Sequence, residues 1–108
     1  MHDAVCFHCQ QCAEKYLKAL LEELGRHVPK IHDLDQLLND LLAHHAGLRG
    51  LRRGTSFLTN FAVAVRYPGS DATKRQAQGA LRWASRVRQA ARALLGIRPR
   101  RGRRKKRP

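Results

Sequence analysis

Hydrophobic and polar residues follow helical periods along this chain, and four segments carry apolar side chains every three or four positions. In the first segment, about residues 3–24, the recurring apolar side chains are Val5, Cys9, Cys12, Tyr16, Leu20 and Leu24. The second segment, HDLDQLLNDLLAHH (residues 32–45), carries a stripe of leucines: Leu34, Leu37, Leu38, Leu41 and Leu42. No segment shows the period of two that is typical of a half-buried β-strand. The pattern predicts an all-α fold.

Two further helices are predicted in the second half of the chain. The third, about residues 55–65, would bury Phe57, Leu58, Phe61 and Val65. The segment RYPG, residues 66–69, should end it, because Pro68 disfavours helical geometry at Tyr67. The fourth helix, about residues 71–95, would bury Ala77, Ala80, Ala84, Val87, Ala91 and Leu94. Most of these side chains are small, so a neighbouring helix can approach closely.

Capping residues mark several of the helix ends. Asp3 and Asp33 stand where N-caps of the first and second helices are expected. Gly25, Gly47 and Gly96 stand where the first, second and fourth helices should stop. We therefore expect a single domain over residues 1–97, a small antiparallel bundle of about four helices, followed by a disordered basic tail over residues 98–108.

Length and composition exclude several classes of protein. A chain of 108 residues supports one modest core. The longest apolar runs fall far short of the roughly 20 residues of a membrane-spanning helix, and no apolar block follows a basic start, as a signal peptide would require. All three cysteines lie within seven residues, too close together for a disulfide framework. These features favour a cytoplasmic protein that does not bind a membrane.

The charge of the chain is strongly unbalanced, with 22 basic residues against 8 acidic ones and a net charge of +14. Eight of the eleven residues in RPRRGRRKKRP, residues 98–108, are basic, which leaves about +6 on residues 1–97. Such a tail cannot bury a core and should bind polyanions by counterion release, without sequence preference. The candidate contacts for this nonspecific binding are Arg100, Arg101, Arg103, Arg104, Lys105, Lys106 and Arg107. The alternative is that the tail is an incidental arginine-rich extension.

The stretch CFHCQQC, residues 6–12, has cysteine spacing that resembles a metal site. Iron–sulfur runs of this spacing continue with a fourth cysteine, whereas here the strong helix former AEKYLKALL follows. On a helix the three sulfurs would fan across about 120° of the surface, and His8 would point away from Cys6 and Cys9. We therefore predict no metal and no cofactor, and interpret the cysteines as small apolar side chains of a helix.

The residues around the cysteines carry a second signal. The segment CFHCQQCAEKYLKALLEELG resembles the first conserved block of the HEPN-domain family, at positions Phe7, Gln10, Gln11, Glu14, Lys15 and Lys18. The segment VPKIHDLDQLL is similar to the second block, at positions Pro29, His32, Asp33 and Leu34. The third block is an R-Y-P element before the last helix, matched by Arg66, Tyr67 and Pro68.

This resemblance implies a small helical bundle, usually a homodimer, often encoded beside a minimal nucleotidyltransferase partner. Some HEPN proteins are metal-independent ribonucleases with an Arg-x4–6-His motif, and others bind nucleotides or act as partner modules. Here no histidine follows His45, so Arg66 cannot open that motif. The pair Arg26 and His32 has the spacing but lies between the first two helices, and we interpret it as a coincidence.

We therefore predict no catalytic residue and a non-catalytic nucleotide- or RNA-binding module of the toxin–antitoxin type. Two alternatives stay open. One is a metal-independent ribonuclease with a degenerate active site, and the other is a basic nucleic-acid-binding protein that acts through its tail. The candidate contacts for nucleotide or RNA are Gln11, Glu14, Lys15, Lys18, His32, Arg66 and Tyr67.

The candidates on the first helix have spacings that place them on one polar ridge. This ridge is either a solvated face or the wall of a cleft that faces His32 and Arg66. In a cleft, the lysines would meet phosphates and Arg66 would offer a bidentate fork, while Tyr67 would stack on a base or anchor its loop. His32 also has a structural interpretation, as a hydrogen-bonding partner within the turn before the second helix.

One departure from the family concerns the start of the chain, which begins almost at the first block, whereas HEPN proteins usually carry a longer stretch before it. Either the sequence is a fragment or the bundle lacks one wall. The apolar stripe of the first helix would then stay partly exposed. We expect self-association or poor solubility.

Overall fold

The structure is a computed structural model that describes residues 1–63 and 71–97. These residues form four α-helices and two 3₁₀ helices, and none of them forms a strand. The α-helices are α1 (His2–Glu23), α2 (Leu34–Leu42), α3 (Arg52–Leu58) and α4 (Lys74–Leu94). The 3₁₀ helices, Ala46–Leu51 and Thr59–Phe61, lie directly before and after α3. The prediction of an all-helical fold is confirmed.

Some predictions lie outside the described residues. These are Val65 as a buried residue, Arg66, Tyr67 and Pro68 as the R-Y-P element, and the tail over residues 98–108. The candidate polyanion contacts Arg100 to Arg107 belong to that tail.

Helix α1 is unbroken through the three cysteines and buries one side completely. The buried apolar side chains are Cys6, Cys9, Ala13, Leu17, Leu20 and Leu21. The predicted stripe lay to one side of this face, since Val5, Cys12, Tyr16 and Leu24 are only half-buried. The helix stops as expected, with Gly25 at a φ of 73°.

Asp3 was expected to cap α1, and this prediction is wrong. Met1 occupies the N-cap position, and Asp3 lies in the first turn. The Asp3 carboxylate instead accepts the backbone N–H of Ala72 at 2.6 Å. It therefore joins the start of α1 to the segment that leads into α4.

Helix α2 begins as predicted and ends earlier. The Asp33 carboxylate accepts the N–H groups of Asp35 at 2.9 Å and Gln36 at 3.4 Å, which satisfies two otherwise unpaired donors of the first turn. Four of the five predicted leucines are fully buried, and Leu42 is half-buried. The helix ends at Leu42 rather than near Gly47, and the chain turns so that Leu48 enters the core.

The third helical region starts earlier than predicted. The first 3₁₀ helix and α3 together run from Ala46 to Leu58, and Leu48 and Leu51 are buried. Gly54 lies directly under the indole of Trp83: a Cβ placed there would be 3.0 Å from Trp83 Cγ and closer still to two other ring carbons. Glycine is therefore required where α3 meets α4.

Helix α4 begins with a capping box that the sequence analysis missed. The Thr73 hydroxyl accepts the N–H of Gln76 at 3.0 Å, and the Gln76 side-chain oxygen accepts the N–H of Thr73 at 2.9 Å. Five of the six predicted core residues of α4 are buried, whereas Leu94 is 42% exposed near the helix end. Gly96, at a φ of 77°, ends the helix as predicted.

The helices pack around one core, with α1 in contact with each of the other three. Helices α2 and α3 are antiparallel, as expected: Asp35 meets Thr55 and Ser56, whereas Asn39, further along α2, meets Arg52. Helices α1 and α4 form the most extensive contact and run in the same direction. None of the helices in residues 1–63 and 71–97 has the length and apolar character to cross a membrane.

Candidate functional site

Glu14 is the centre of a polar cluster on α1. Glu14 is only 7% exposed, yet its carboxylate accepts hydrogen bonds from three side chains. Gln10 Nε2 donates at 3.1 Å and Lys18 Nζ at 3.0 Å, both from the same helix. His32 Nδ1, from the segment between α1 and α2, lies 3.0 and 3.1 Å from the two carboxylate oxygens. Three residues separated in sequence are thus held at one point.

The sequence of α1 explains the order of this cluster. Gln10, Glu14 and Lys18 are spaced by four residues, so their side chains stack along one face of the helix. Gln10 is completely buried, and its amide also donates to the backbone oxygen of His32 at 3.0 Å. The Thr59 hydroxyl donates to that same oxygen at 3.3 Å. The His32 segment is therefore fixed by its backbone as well as by its imidazole.

The protonation of Glu14 follows from these contacts. Burial raises the pKa of Glu14, but the hydrogen bonds from Lys18, His32 and Gln10 lower it by more, so that its pKa lies below the ordinary value. Glu14 is therefore a carboxylate near neutral pH and can only accept hydrogen bonds. It follows that His32 Nδ1 carries a proton and donates a hydrogen bond to Glu14.

The orientation of His32 leaves part of the imidazole accessible. With Nδ1 engaged, Nε2 is an acceptor in the neutral ring and a donor in the imidazolium. The His32 side chain is 65% exposed, and that of Lys18 is 23% exposed. A buried carboxylate thus presents two basic groups at the surface.

The structure divides the described nucleotide or RNA candidates into three sets. Glu14, Lys18 and His32 are brought into direct contact. Gln11 joins the cluster indirectly, because its amide donates to Gln10 Oε1 at 2.7 Å. Lys15 is exposed and borders a groove on the other side of α1.

The remaining candidates, Arg66, Tyr67 and the tail residues, lie outside the described residues. Gln10 is the residue that the candidate set missed, although it matches the first family block. Its four-residue spacing from Glu14 was the available signal, but spacing alone could not show that both side chains are buried.

The arginine that shares a motif-like spacing with His32 makes a different contact. Arg26 Nη1 lies 3.0 Å from His44 Nε2, at the end of α2. His32 is held by Glu14 instead. The two residues of the formal Arg-x5-His string thus have different partners.

Cys9 has an environment that suits a neutral thiol. Burial, together with the neighbouring sulfurs of Cys6 and Cys12, raises the pKa of Cys9, so this thiol stays protonated. Across residues 1–63 and 71–97, His, Cys, Asp and Glu side chains form no group of three that could hold a metal ion. The sulfurs pack as apolar atoms in and beside the core.

A second carboxylate cluster joins α2 to α3. Asp35 accepts hydrogen bonds from the Thr55 hydroxyl at 2.7 Å, the Ser56 hydroxyl at 2.9 Å and Arg52 Nη1 at 3.1 Å. Arg52 Nη1 also donates to the Asp35 backbone oxygen, and Arg52 Nη2 donates to Asn39 Oδ1. Burial raises the pKa of Asp35, and these donors lower it by more, so that the pKa lies below its ordinary value.

The described residues form a small helical bundle whose first helix holds His32, from the segment that follows it, through the buried side chains of Gln10 and Glu14. The sequence model of the HEPN domain matches residues 1–94, and the chain belongs to the HEPN family. The resemblance inferred from the sequence is thus confirmed, and it places the chain among proteins generally concerned with nucleotides or RNA. No curated protein and no solved structure matches the chain significantly.

Proposed function

We propose that this HEPN domain is a non-catalytic module that binds a nucleotide or RNA at the surface around Glu14 and His32. The observation that carries the proposal is the buried Glu14 carboxylate, which holds Lys18 and His32 at 3.0 Å each. Such a buried carboxylate positions basic side chains that would otherwise sample many rotamers. Pre-positioned donors lose less conformational entropy when a ligand binds.

The chemistry of the cluster suits a phosphate group. Lys18 has three N–H donors, of which Glu14 takes one, and the imidazolium form of His32 adds a donor at Nε2. Gln11, which donates to Gln10, would contribute an amide from the adjacent turn. Arg66 and Tyr67 are proposed to complete the site with a bidentate fork and an aromatic face.

The proposed setting is a toxin–antitoxin-like pair, in which the domain forms a homodimer and associates with a minimal nucleotidyltransferase. Family membership supports this setting. Co-expression with a minimal nucleotidyltransferase should yield a stable complex on size-exclusion chromatography. Separate elution of the two proteins would reject the partnership while leaving the ligand site open to its own test.

Titration of ATP, GTP and a short RNA into the protein tests the ligand site. Lys18→Ala and His32→Ala should each weaken binding by about tenfold, the effect of losing one charge-assisted contact of about 1.4 kcal/mol. Arg49→Ala is the matched control, because Arg49 is exposed on the first 3₁₀ helix, away from α1. The absence of salt-dependent binding by any of the three ligands would reject the proposal.

The ribonuclease alternative has one observation in its favour. Glu14 fixes the tautomer and direction of His32 in the way that a carboxylate orients a catalytic imidazole. A single-turnover RNA cleavage assay should nevertheless show the same background rate for the parent and for His32→Ala. Cleavage that His32→Ala abolishes would replace the binding module with an enzyme.

The basic tail is proposed to add nonspecific affinity for RNA or DNA. Deletion of residues 98–108 should then reduce the slope of binding affinity against salt concentration. An unchanged slope would assign all of the electrostatic binding to residues 1–97.

A further inference from the structure

A long apolar groove runs between α1 and α4. Its first part, of about 490 Å³, is lined by side chains of both helices, including Val5, Cys9, Leu81 and Ala84. Its second part, of about 600 Å³, continues past Tyr16 and Ala19 to the end of α4. His8 and Cys12 line both parts, so the two form one continuous surface.

The groove gathers most of the large apolar side chains that are exposed on the described surface. Of the five large apolar side chains exposed in residues 1–63 and 71–97, three line this groove: Met1, Leu81 and Ile97. Leu81, which lines the first part of the groove, is 56% exposed. A contiguous exposed apolar surface of this kind indicates a binding site.

The shape of the groove fits a helix. Helices α1 and α4 lie side by side along it, and a third helix packs well into the channel between two such neighbours. On α1 the groove extends from Met1 to Ala19, a length of about 27 Å at 1.5 Å per residue. An occupant that covers it is therefore an amphipathic helix of about 18 residues.

The charge of the groove selects the occupant further. Among the described residues, the basic side chains that line the groove are His8, Lys15 and Arg88, and no described lining residue is acidic. The whole chain carries a net charge of +14. A second copy seated here through the same groove would bring further basic side chains into an interface whose described lining holds no carboxylate to pair with them, which is unfavourable. Carboxylates beside the apolar face of the occupant would instead pair with them.

We propose that this groove is the docking site for an amphipathic helix of another protein, with acidic residues beside its apolar face. The groove and the row formed by Gln10, Glu14 and Lys18 lie on different faces of α1, because the two sets of residues differ in their helical phase, and Gln11 alone among the proposed ligand contacts of α1 also lines the groove. The proposal therefore does not depend on nucleotide or RNA binding. A homodimer of this domain would use another face.

Fluorescence anisotropy with labelled peptides of 18 residues tests the proposal on the full chain. The acidic amphipathic peptide has leucines on one face and glutamates beside them, and a scrambled peptide of the same composition controls for attraction to the basic tail. The acidic amphipathic peptide should bind at least about tenfold more tightly than the scrambled peptide. Equal binding of the two peptides would overturn the proposal.

Two leucines of α4 form a matched pair of variants. Leu81→Glu should weaken binding of the acidic amphipathic peptide by about tenfold or more. Leu94→Glu should leave it unchanged, since Leu94 is also exposed but faces His45 and Leu48 rather than the groove. Equal effects of the two substitutions on peptide binding would show that the peptide does not bind in the groove.

Charge reversal tests the choice of an acidic partner. Arg88→Glu should weaken binding of the acidic peptide and strengthen binding of a peptide with lysines in place of the glutamates. Alkylation of Cys12, the half-buried thiol in the middle of the groove, should be slowed several-fold by the acidic peptide. An alkylation rate that the peptide leaves unchanged would contradict binding in the groove.

Light scattering on the parent protein and on the two leucine variants tests whether a second copy of the chain occupies the groove. A dimer that Leu81→Glu converts to a monomer, while Leu94→Glu does not, would assign the groove to a second copy of the chain and overturn the proposal. A monomer, or a dimer that neither substitution affects, supports a separate partner.

Discussion

The two carboxylate clusters, around Glu14 on α1 and Asp35 on α2, use the same local chemistry with different outcomes. Both carboxylates accept several hydrogen bonds, and in both the donors outweigh burial and lower the pKa. The partners of Asp35 are two hydroxyls and a guanidinium that also donates to Asn39 and to backbone. The partners of Glu14 include an ammonium and an imidazole that keep further hydrogen-bonding capacity at the surface.

This difference distinguishes a structural connection from a candidate site. The Asp35 cluster joins two helices and uses its donors within the protein. The Glu14 cluster also joins two segments, but 65% of the His32 side chain remains accessible to a ligand. A carboxylate with a lowered pKa is thus not by itself a functional signal. The cluster is a candidate site only where the partners of the carboxylate can still form hydrogen bonds with a ligand.

The largest effect is expected from Gly54→Ala, which tests whether packing or Asp35 positions α3. The added methyl group would collide with the Trp83 indole, and overpacking of this kind should lower the free energy of unfolding by about 2–3 kcal/mol. Gly79→Ala is the control, since its Cβ would meet Phe57 at an ordinary 3.6 Å. Urea denaturation measures both, and equal stabilities would mean that Trp83 does not constrain α3.

Asp35→Ala should lower the free energy of unfolding by about 2 kcal/mol and leave ligand affinity unchanged. The substitution removes the shared acceptor of Arg52 and of the Ser56 and Thr55 hydroxyls, and leaves the buried Thr55 hydroxyl with the Arg52 backbone oxygen alone. Asp40→Ala, on the same helix but beside Pro29 and Ile31, is expected to stay within about 0.5 kcal/mol of the parent. A loss of ligand binding in Asp35→Ala at full folding would erase the distinction between the clusters.

Glu14→Gln should have the opposite profile. We expect a loss of about 1 kcal/mol in stability, because Lys18 and His32 can turn to solvent when the charge is removed. Nucleotide or RNA affinity should decrease by about tenfold, because neither Lys18 nor His32 is held in place. Glu22→Gln controls for the change in net charge, because Glu22 is an exposed residue of the same helix. Unaltered ligand affinity in Glu14→Gln would leave this cluster as a second structural connection.

The smallest effect concerns acid stability. A carboxyl group with a lowered pKa in the folded state stabilises the protein above its unfolded pKa, and this contribution is lost as the pH falls through the folded pKa. The melting temperature of the parent should therefore decrease below about pH 4. Glu14→Gln and Asp35→Asn should each flatten this decrease. A curve that neither substitution alters would show that other carboxyl groups dominate.

The sequence predicted the helices and the family well, because leucine and alanine spacing along α2 and α4 reports directly on the buried faces. It failed at α3, since Arg52, Arg53 and Gly54 carry no apolar signal and Gly54 is explained only by Trp83, far along the chain. It placed Glu14, Lys18 and His32 in one candidate set through the family resemblance. The burial of Gln10 and the role of Asp35 depend on tertiary contacts that no local spacing encodes.

The hydrogen bond from Ala72 to Asp3 has a consequence for the order in which this domain folds. It joins residues 69 positions apart, and the extensive α1–α4 contact closes a loop of similar size. Closing a long loop costs more chain entropy than forming the local turn between α2 and α3. The hairpin of α2 and α3 is therefore expected to assemble early, and the two ends of the domain to meet last. Hydrogen exchange during refolding should then protect amides of α2 before those of α4.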